Sequence, residues 1–370
     1  MLVGALVAGG ALSCASGPAP AGALPVSLTS AQFWALSESL SEPGGYFRSD
    51  NLVSNEHTFQ YVIPSLVDVV EPGGVYLGVA PDQNFTYIAA TRPQMAFIVD
   101  VRRGNLLLHL LYKALFELSA DRAEFVSRLF SKPRPDDLGP VSRVSDIFNA
   151  FAGVGSSEAL YRASLAAVQE RLAEHHGFPL SAQDLQQVES IFAAFFRDGP
   201  AIRYSMSAFG RRGSAFGRFP SFEELAQQTD WTGVQRSYLA SEDRYRTVRR
   251  LHQRNLVVPV VGNFAGPKAL QAVGDWVRDR GSFVTAFYVS NVEQYLFQDG
   301  LFETFAGNVA TLPVTPSSTF IRSVSSRYGY RGPYQGHDGR ASALYPIRAF
   351  VRDFEQGRLG TYYDLNARSR

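Results

Sequence analysis

Residues 74–87 read Gly-Val-Tyr-Leu-Gly-Val-Ala-Pro-Asp-Gln-Asn-Phe-Thr-Tyr, and residues 95–100 read Met-Ala-Phe-Ile-Val-Asp. The apolar runs in both segments are typical of buried strands, and the residues from Asp82 onward have the apolar spacing of a short helix. The order strand, helix, strand predicts two parallel strands joined by a crossover. Gly78 ends the first strand and Asp100 ends the second, so both are expected at the edge where such sheets bind ligands.

The same alternation continues along the chain. It predicts a helix from Ser30, as N-cap, to Leu40, a long helix over 105–118, a mostly helical region over 120–200 and a helix that Ser241 caps. Apolar strand patterns occupy 255–261 and 282–289, the α/β pattern returns at 237–240, and late strand candidates lie at 308–312 and 319–324. The sequence therefore predicts an α/β, Rossmann-like fold: a mostly parallel sheet with helices on both faces and a helical insertion.

The expected domain organisation has six parts. They are a signal-like segment and linker at 1–28, an N-terminal helical segment at 29–70, the first half of the Rossmann-like domain at 71–130, a mostly helical insertion at 131–230, the second half at 231–325, and a C-terminal loop and tail at 326–370.

Composition excludes several classes of protein. The chain has 370 residues, 45% of them hydrophobic, and 35 Lys+Arg against 34 Asp+Glu give a net charge of +1. This balance argues for a globular protein and against a nucleic-acid partner. A single Cys rules out an internal disulfide and a Cys-based zinc site, and the six His show no metal-binding spacing, so no metal is expected. Two arginine- and aromatic-rich loops, at 210–219 and 328–334, are interpreted as covers of a site.

The glycine turn and the following acid resemble the cofactor-binding half of class I S-adenosylmethionine-dependent methyltransferases. In that family a Gly-x-Gly-type turn follows the first strand and an acid ends the second. The resemblance implies S-adenosylmethionine as cofactor and methyl transfer to an unidentified small-molecule or macromolecular substrate. It implies that Asp100 holds the ribose hydroxyls, and that Asn263, placed at the end of a fourth strand, faces cofactor or substrate. The residues it implies around the methionine and ribose are Gly78, Ala80, Asp82 and Asn84.

The turn departs from the family pattern in three respects, the first being that no acidic residue opens the motif at the strand itself. Ala80 stands where a second glycine is usual, and Pro81 is also unusual. The turn does not match the Gly-x-Gly-x-x-Gly pattern of nicotinamide-binding proteins, and a P-loop is absent. The alternative is a sheet whose first turn holds no cofactor, with Asp82 capping its helix. Residues 76–88 and 287–296 also resemble a group of uncharacterised bacterial conserved proteins, which implies the fold and no activity.

A second polar cluster, Tyr-Val-Ser-Asn-Val-Glu-Gln-Tyr at 288–295, follows the strand predicted at 282–289. Its side chains are expected at a strand end, and with the polar run 49–57 they could form the substrate side of a site. The candidates for acid–base or orienting roles are Glu56, His57, Ser290, Asn291 and Glu293. The alternative is a capped strand-to-helix turn without a catalytic role.

The N-terminus resembles a bacterial lipoprotein signal. A short apolar run over 2–12 ends at Ser13-Cys14, and the resemblance implies acylation of Cys14, a membrane contact through that lipid only, and a cell-envelope location. Ala11 in place of leucine and the lack of a basic residue before the run depart from the pattern. Two hypotheses follow: a methyltransferase, which would be cytoplasmic because its cofactor is, and a non-catalytic envelope lipoprotein with a Rossmann-like binding or scaffold domain.

Overall fold

A computed structural model describes residues 22–204, 219–333, 335–336 and 338–369. Cys14 and most of the arginine-rich loop at 210–219 lie outside these residues. The strands are β1 Val75–Gly78, β2 Met95–Asp100, β3 Val257–Val261, β4 Val284–Ser290, β5 Val314–Ser325 and β6 Arg340–Pro346. The helices are α1 Ser30–Leu40, α2 Ile63–Val69, α3 Gln83–Thr91, α4 Arg103–Leu118, α5 Arg122–Phe130, α6 Val144–Ala152, α7 Glu158–Glu170, α8 Ala182–Asp198, α9 Phe222–Gln227, α10 Glu242–Gln253, α11 Ala269–Arg278, α12 Val292–Gln298, α13 Phe302–Ala310, α14 Ile347–Glu355 and α15 Tyr362–Ala367.

The strands form one sheet in the order β3-β2-β1-β4-β5-β6. Every neighbouring pair is parallel except β5 and β6, which are antiparallel. The chain moves outward from β1 to β3 and then returns to place β4 on the other side of β1. This order confirms the predicted Rossmann-like α/β fold, and it puts the topological switch point between the carboxyl ends of β1 and β4.

The core explains why the strands are so apolar. Every residue of β1, β2 and β3 is buried, as expected for strands covered by helices on both faces. The long helix α4 is buried continuously from Asn105 to Phe116 because the sheet lies on one side of it and the helical insertion on the other. One continuous apolar cluster includes the strands and insertion residues such as Phe130 and Phe192. The insertion between β2 and β3 therefore shares the core of the sheet.

Several predicted elements differ in the structure. Residues 308–312 were expected as a strand, but they form the end of α13 and a turn, because Phe302, Phe305, Ala306 and Val309 repeat at helical spacing and are all buried. Residues 237–240 form a turn. The helix α1 has the predicted bounds, but its N-cap is Thr29, which accepts a hydrogen bond from the backbone of Gln32.

The C-terminal region is also more ordered than expected. Residues 326–369 were predicted as loop and tail, but they contain β6, α14 and α15. Strand β6 completes the sheet beside β5, and Phe350 of α14 packs on Phe320 of β5 with ring centroids 5.1 Å apart. No helix among the described residues has the length and apolarity needed to cross a membrane.

Candidate functional site

The turn after β1 is held by the side chain of Asn84. Its Nδ2 donates to the carbonyls of Val79 and Pro81 at 2.8 and 2.7 Å, and its Oδ1 accepts from the Tyr76 hydroxyl at 2.8 Å. A Cβ on Gly78 would lie 2.0 Å from Asn84 Oδ1. The glycine that the sequence singled out is therefore required by Asn84, which lies against it, and Asn84 is itself completely buried.

Backbone strain occurs on both sides of the switch point. Ala80 has a φ of 67° and Ser290 a φ of 52°, a left-handed conformation that residues with a Cβ rarely adopt. The carbonyl of Ala80 contacts Nε2 of His109 on α4 at 2.8 Å. Burial lowers the pKa of His109 to about 4, so at neutral pH the ring is uncharged. The residue in place of a second glycine is thus held in a conformation typical of glycine.

Asp82 does not cap its helix. No side-chain cap hydrogen bond is present at the start of α3, and Oδ2 of Asp82 accepts from the hydroxyl of Tyr238 at 3.2 Å. Burial raises the pKa of Asp82 to about 7. Asp82, Gln83 and Tyr238 line a small cavity of about 10 Å³, room for about one water. The helix cap expected of Asp82 in the alternative is therefore absent, and a carboxyl that titrates near neutral pH lies beside the turn. That this turn holds no cofactor stays a prediction.

The two polar segments predicted from sequence do meet, at the carboxyl end of β4. Oε1 of Glu56 accepts from the hydroxyls of Ser290 at 2.5 Å and Tyr288 at 2.8 Å, and Gln83 Nε2 donates to the Tyr288 oxygen at 2.7 Å. Oε2 of Glu56 and Oε1 of Gln83 are buried without a hydrogen-bond partner in the described structure. Burial raises the pKa of Glu56. A hydrogen bond from Ser323 also acts on this carboxyl and lowers its pKa, which burial nevertheless raises. A buried oxygen without a protein partner requires another one, such as an ordered water, or marks a strained or catalytic group.

The remaining candidates from this region separate. Oδ1 of Asn291 lies 3.4 Å from Ser290 Oγ, at the margin of the cluster. Glu293 is fully buried and forms an ion pair with Arg322 of β5 at 2.7 Å, so it joins α12 to the sheet. His57 is exposed and makes no hydrogen bond to the cluster. The structure thus brings Glu56, Ser290 and Asn291 together and does not bring His57 or Glu293 to them.

Asp100 at the end of β2 already has a partner. Nε and Nη2 of Arg102 donate to its two oxygens at 2.9 and 2.8 Å, and Nη1 of Arg102 donates to the carbonyls of Ser49 and Asp50 at 2.8 and 2.5 Å. Asp100 is 5% exposed. The acid expected to bind a ribose therefore forms a bidentate ion pair in this arrangement.

Residues 41–56, which we call the strap, cross the carboxyl ends of β3, β2 and β4. At β3 the Glu42 carboxylate accepts from the backbone N–H groups of Asn263, Lys268 and Ala269 at 3.2, 2.8 and 2.7 Å. At β2 the N–H of Gly45 donates to the carbonyl of Val101 at 2.7 Å. At β4 the strap ends with Glu56. It therefore covers the edge of the sheet where Rossmann-like folds bind ligands.

The position of Asn263 differs from the expectation. Its strand is β3, the outer strand of the sheet, two strands away from β1. Its side chain accepts from the N–H of Ala265 at 2.9 Å and so forms a local turn before α11. Nothing in these contacts directs Asn263 toward the β1 turn.

Four residues that contact the candidate site were not found by sequence reasoning: Glu42, Gln83, Arg102 and Tyr238. Arg102 follows Asp100 at an interval that allows an ion pair, and Gln83 directly follows Asp82, so both gave a local signal. Glu42 and Tyr238 gave none, because each meets its partner over more than 150 residues of chain. Among the described residues, no group of three or more His, Cys, Asp and Glu side chains is placed to hold a metal ion.

The site fits S-adenosylmethionine on one side only. At β1 and β4 the unpaired Oε2 of Glu56 and Oε1 of Gln83 are polar atoms without a partner in the described part of the chain. The carbonyls of the β1 turn are already bound by Asn84 and His109. At β2 the fit is incomplete, because both oxygens of Asp100 are bound by Arg102 and the strap lies over the strand end.

Fold and site together define a Rossmann-like α/β protein with a buried polar cluster at its switch point. The chain belongs to the family described as Domain of unknown function (DUF7790), whose model matches residues 51–177 and 218–354. The matched ranges include all six strands, Glu56 and the β1 turn. No curated protein matches the chain.

Proposed function

We propose that this chain is a methyltransferase-like enzyme that binds S-adenosylmethionine over the β1 turn and uses Glu56 as the base. The observation that supports this proposal is the position of Glu56 at the carboxyl end of β4, across the switch point from the strained turn at Ala80. The strand order, with a parallel sheet ending in an antiparallel strand, supports it further. The substrate is a small molecule or macromolecule whose identity the site does not specify.

The roles of the protein groups follow from their hydrogen bonds. Tyr288 and Ser290 hold one oxygen of Glu56, and Oε2 is left to accept a proton from an attacking hydroxyl or amine. Burial raises the pKa of Glu56, which makes its carboxylate a stronger base than an exposed one. S-adenosylmethionine supplies an electrophilic methyl group when bound. The chain contributes by positioning the nucleophile and taking up its proton.

Binding in this mode requires Arg102 to release Asp100. Removal of the guanidinium frees Oδ2 of Asp100, leaves Oδ1 with the backbone N–H of residue 102 alone, and detaches the carbonyls of Ser49 and Asp50 in the strap. Arg102→Ala should therefore bind S-adenosylhomocysteine more tightly than the wild type, by about tenfold, because Asp100 can then accept a charge-assisted hydrogen bond from the ligand. Asp100→Ala should bind it more weakly.

Calorimetry and thermal shift with S-adenosylmethionine and S-adenosylhomocysteine measure these effects. A ligand at a hundred times its dissociation constant should stabilise the wild type by about 2.7 kcal/mol. Arg103→Ala is the matched control, because Arg103 is the next residue but pairs with Asp184. No binding to wild type, Arg102→Ala or Arg103→Ala, all shown to be folded, would contradict the proposal.

A second candidate function is a non-catalytic Rossmann-like binding or scaffold module of a cell-envelope lipoprotein. The pairing of Asp100 with Arg102 and the strap across three strand ends favour it, because both use the ligand edge for internal contacts. Labelling of cells with a fatty acid, compared between wild type and Cys14→Ser, tests the anchor. Label that is lost in Cys14→Ser places the chain in the envelope, whereas equal labelling removes the lipoprotein hypothesis.

A further inference from the structure

A serine, a histidine and a glutamate form a continuous chain of hydrogen bonds away from the switch point. Oγ of Ser30 lies 2.8 Å from Nδ1 of His176, and Nε2 of His176 lies 2.8 Å from Oε2 of Glu117. Ser30 begins α1, Glu117 lies in the last turn of α4, and His176 follows the π-helical turn Arg171–His175 after α7. Three distant segments thus bring together a nucleophile, a base and an orienting acid, the arrangement that activates a serine.

The carboxylate of Glu117 determines which ring nitrogen of His176 is the base. Burial raises the pKa of Glu117, but the hydrogen bond to His176 and the interactions with Lys113 outweigh it, so this pKa is lowered and the group is ionised at neutral pH. An ionised carboxylate only accepts, so in neutral His176 the proton is on Nε2. Nδ1 is then the unprotonated nitrogen, and it accepts from the Ser30 hydroxyl.

The base and the acid are held in place and covered. The ring of His176 stacks on buried Phe178, with centroids 4.8 Å apart and planes 6° from parallel. Nζ of Lys113 donates to the other oxygen of Glu117, Oε1, at 2.5 Å. The side chains of His176 and Glu117 are 6% and 8% exposed, whereas Ser30 is half-buried. A molecule in solution can therefore reach the serine, while its two partners keep a fixed orientation.

The start of α1 places backbone donors beside the serine. The first N–H groups of an α-helix have no partner within it, and Ser30 is the first residue of this 11-residue helix. The N–H of Gln32 donates to the side chain of Thr29, but those of Ser30 and Ala31 have no acceptor among the described residues. In α/β-hydrolases the N–H of the residue after the nucleophile stabilises the oxyanion. Ala31 occupies that position here.

We propose that Ser30, His176 and Glu117 hydrolyse carboxylic esters. Nδ1 of His176 takes the proton of the Ser30 hydroxyl as Oγ attacks the carbonyl carbon. The ester C–O bond then breaks, and Nδ1 returns the proton to the departing alcohol. Water adds to the acyl-serine with Nδ1 again as base, which releases the carboxylic acid and restores the serine. Glu117 orients the ring and stabilises its transient positive charge.

This site is independent of the proposed methyltransferase function. Helix α4 begins at the carboxyl end of β2, and Glu117 lies about 20 Å further along the helix, toward the opposite edge of the sheet. Ser30 lies near that edge as well, since the N–H of Leu28 donates to the carbonyl of Arg254 just before β3. Ester hydrolysis therefore needs no S-adenosylmethionine.

A fluorophosphonate probe, which loses fluoride when an activated serine attacks its phosphorus, tests the nucleophile. The wild-type chain should form a covalent adduct, and mass spectrometry of its peptides should place the adduct on Ser30. Ser30→Ala and His176→Gln should lose it. Ser39→Ala is the matched control, because Ser39 is an exposed serine of the same helix whose hydroxyl donates to the carbonyl of Leu36. This variant should be labelled like the wild type.

Hydrolysis of p-nitrophenyl acetate, without added S-adenosylmethionine, measures turnover. His176→Gln should lower the rate by about 100-fold, and Ser39→Ala should leave it unchanged. No adduct on wild-type chain shown by circular dichroism to be folded, an adduct on a residue other than Ser30, or full labelling of His176→Gln would overturn the proposal. Binding of S-adenosylhomocysteine, measured on Ser30→Ala, should equal that of the wild type, so the failure of one proposal leaves the other standing.

Discussion

Arg102 binds both oxygens of Asp100, with Nε–Oδ1 and Nη2–Oδ2 distances of 2.9 and 2.8 Å. The same guanidinium reaches the carbonyls of Ser49 and Asp50. One side chain therefore connects the end of β2 to the strap. Since the strap covers three strand ends, the proposed ligand could reach the edge of the sheet only if contacts of the strap open.

Glu42→Ala should loosen the strap at β3. The variant loses three hydrogen bonds from backbone N–H groups to a carboxylate, so the free energy of unfolding should fall by about 1–3 kcal/mol. Amide hydrogen exchange in residues 41–50 should become faster. Glu38→Ala, which removes an exposed carboxylate four residues earlier, is the control and should change stability by less than about 0.5 kcal/mol. Unchanged exchange in Glu42→Ala would show that the strap is held elsewhere.

Gly78→Ala should destabilise the protein by about 1–3 kcal/mol, because the new Cβ would lie 2.0 Å from Asn84 Oδ1 and 2.8 Å from the Tyr76 ring. Urea unfolding measures the effect. Gly155→Ala is the matched control, since a Cβ there meets no atom within 4 Å. In the Asn84→Ala background, Gly78→Ala should lower the free energy of unfolding by less than it does in the wild type. An equal loss of stability in both backgrounds would mean that contact with Asn84 is not what requires a glycine at position 78.

Asp82→Asn should change how stability depends on pH. Burial raises the pKa of Asp82 to about 7, against 3.8 for an ordinary aspartate. Between these values the folded chain binds more protons than the unfolded chain, so this group's contribution to the free energy of unfolding decreases as pH rises from about 4 to about 7. Over this pH window the free energy of unfolding of the wild type should fall by up to about 4 kcal/mol relative to that of Asp82→Asn. Urea unfolding at several pH values measures this difference.

Two further groups provide checks on that measurement. Tyr238 donates to Asp82 and so lowers its pKa, which means that Tyr238→Phe should extend the decrease above pH 7. His109 acts in the opposite direction: its folded pKa of about 4 lies below the ordinary histidine value of 6.5, so its contribution to stability is lost as pH falls between them. The difference in free energy of unfolding between wild type and Asp82→Asn isolates the contribution of the Asp82 carboxyl. If the two free energies change with pH in parallel, the pKa of Asp82 is not raised.

Glu293→Gln should destabilise the fold and leave the polar cluster intact. It breaks a fully buried ion pair with Arg322, which typically costs about 3–5 kcal/mol. Glu303→Gln, an exposed acid on α13, is the control. The double variant Glu293→Gln/Arg322→Met should be more stable than Glu293→Gln alone, because no unpaired charge stays buried. If Glu293→Gln is as stable as wild type, the pair is not needed for the fold.

Sequence patterns predicted the fold well where strands are apolar on both faces. The runs at 75–79, 95–100, 255–261 and 282–289 correspond to β1 to β4, because burial on both faces leaves few polar residues to interrupt them. Strand β6 at the edge was missed, since its sequence Arg-Ala-Ser-Ala-Leu-Tyr-Pro has few large apolar residues. It is defined by pairing with β5, a tertiary contact.

The candidate site was predictable in part. Ser290 was expected at a strand end and Glu56 in a polar run that could form a site with it, and Ser290 Oγ lies 2.5 Å from Glu56 Oε1. The partner of Asp100 was not predicted, because an ion pair with Arg102 depends on side-chain conformations that spacing alone does not specify. The role of Glu42 depends on a contact 227 residues away, which no local pattern encodes.

The strap also constrains the order in which the chain can fold. Ser41, Glu42 and Glu56 contact Val261, Ala269 and Ser290, partners that are 220 to 234 residues later in the chain. During synthesis the N-terminal segment leaves the ribosome first, yet its partners emerge after most of the protein has been made. Contacts of such high sequence separation form slowly. The strap should therefore be among the last segments to acquire protection in a pulse-labelled refolding experiment, after the sheet that it crosses has assembled.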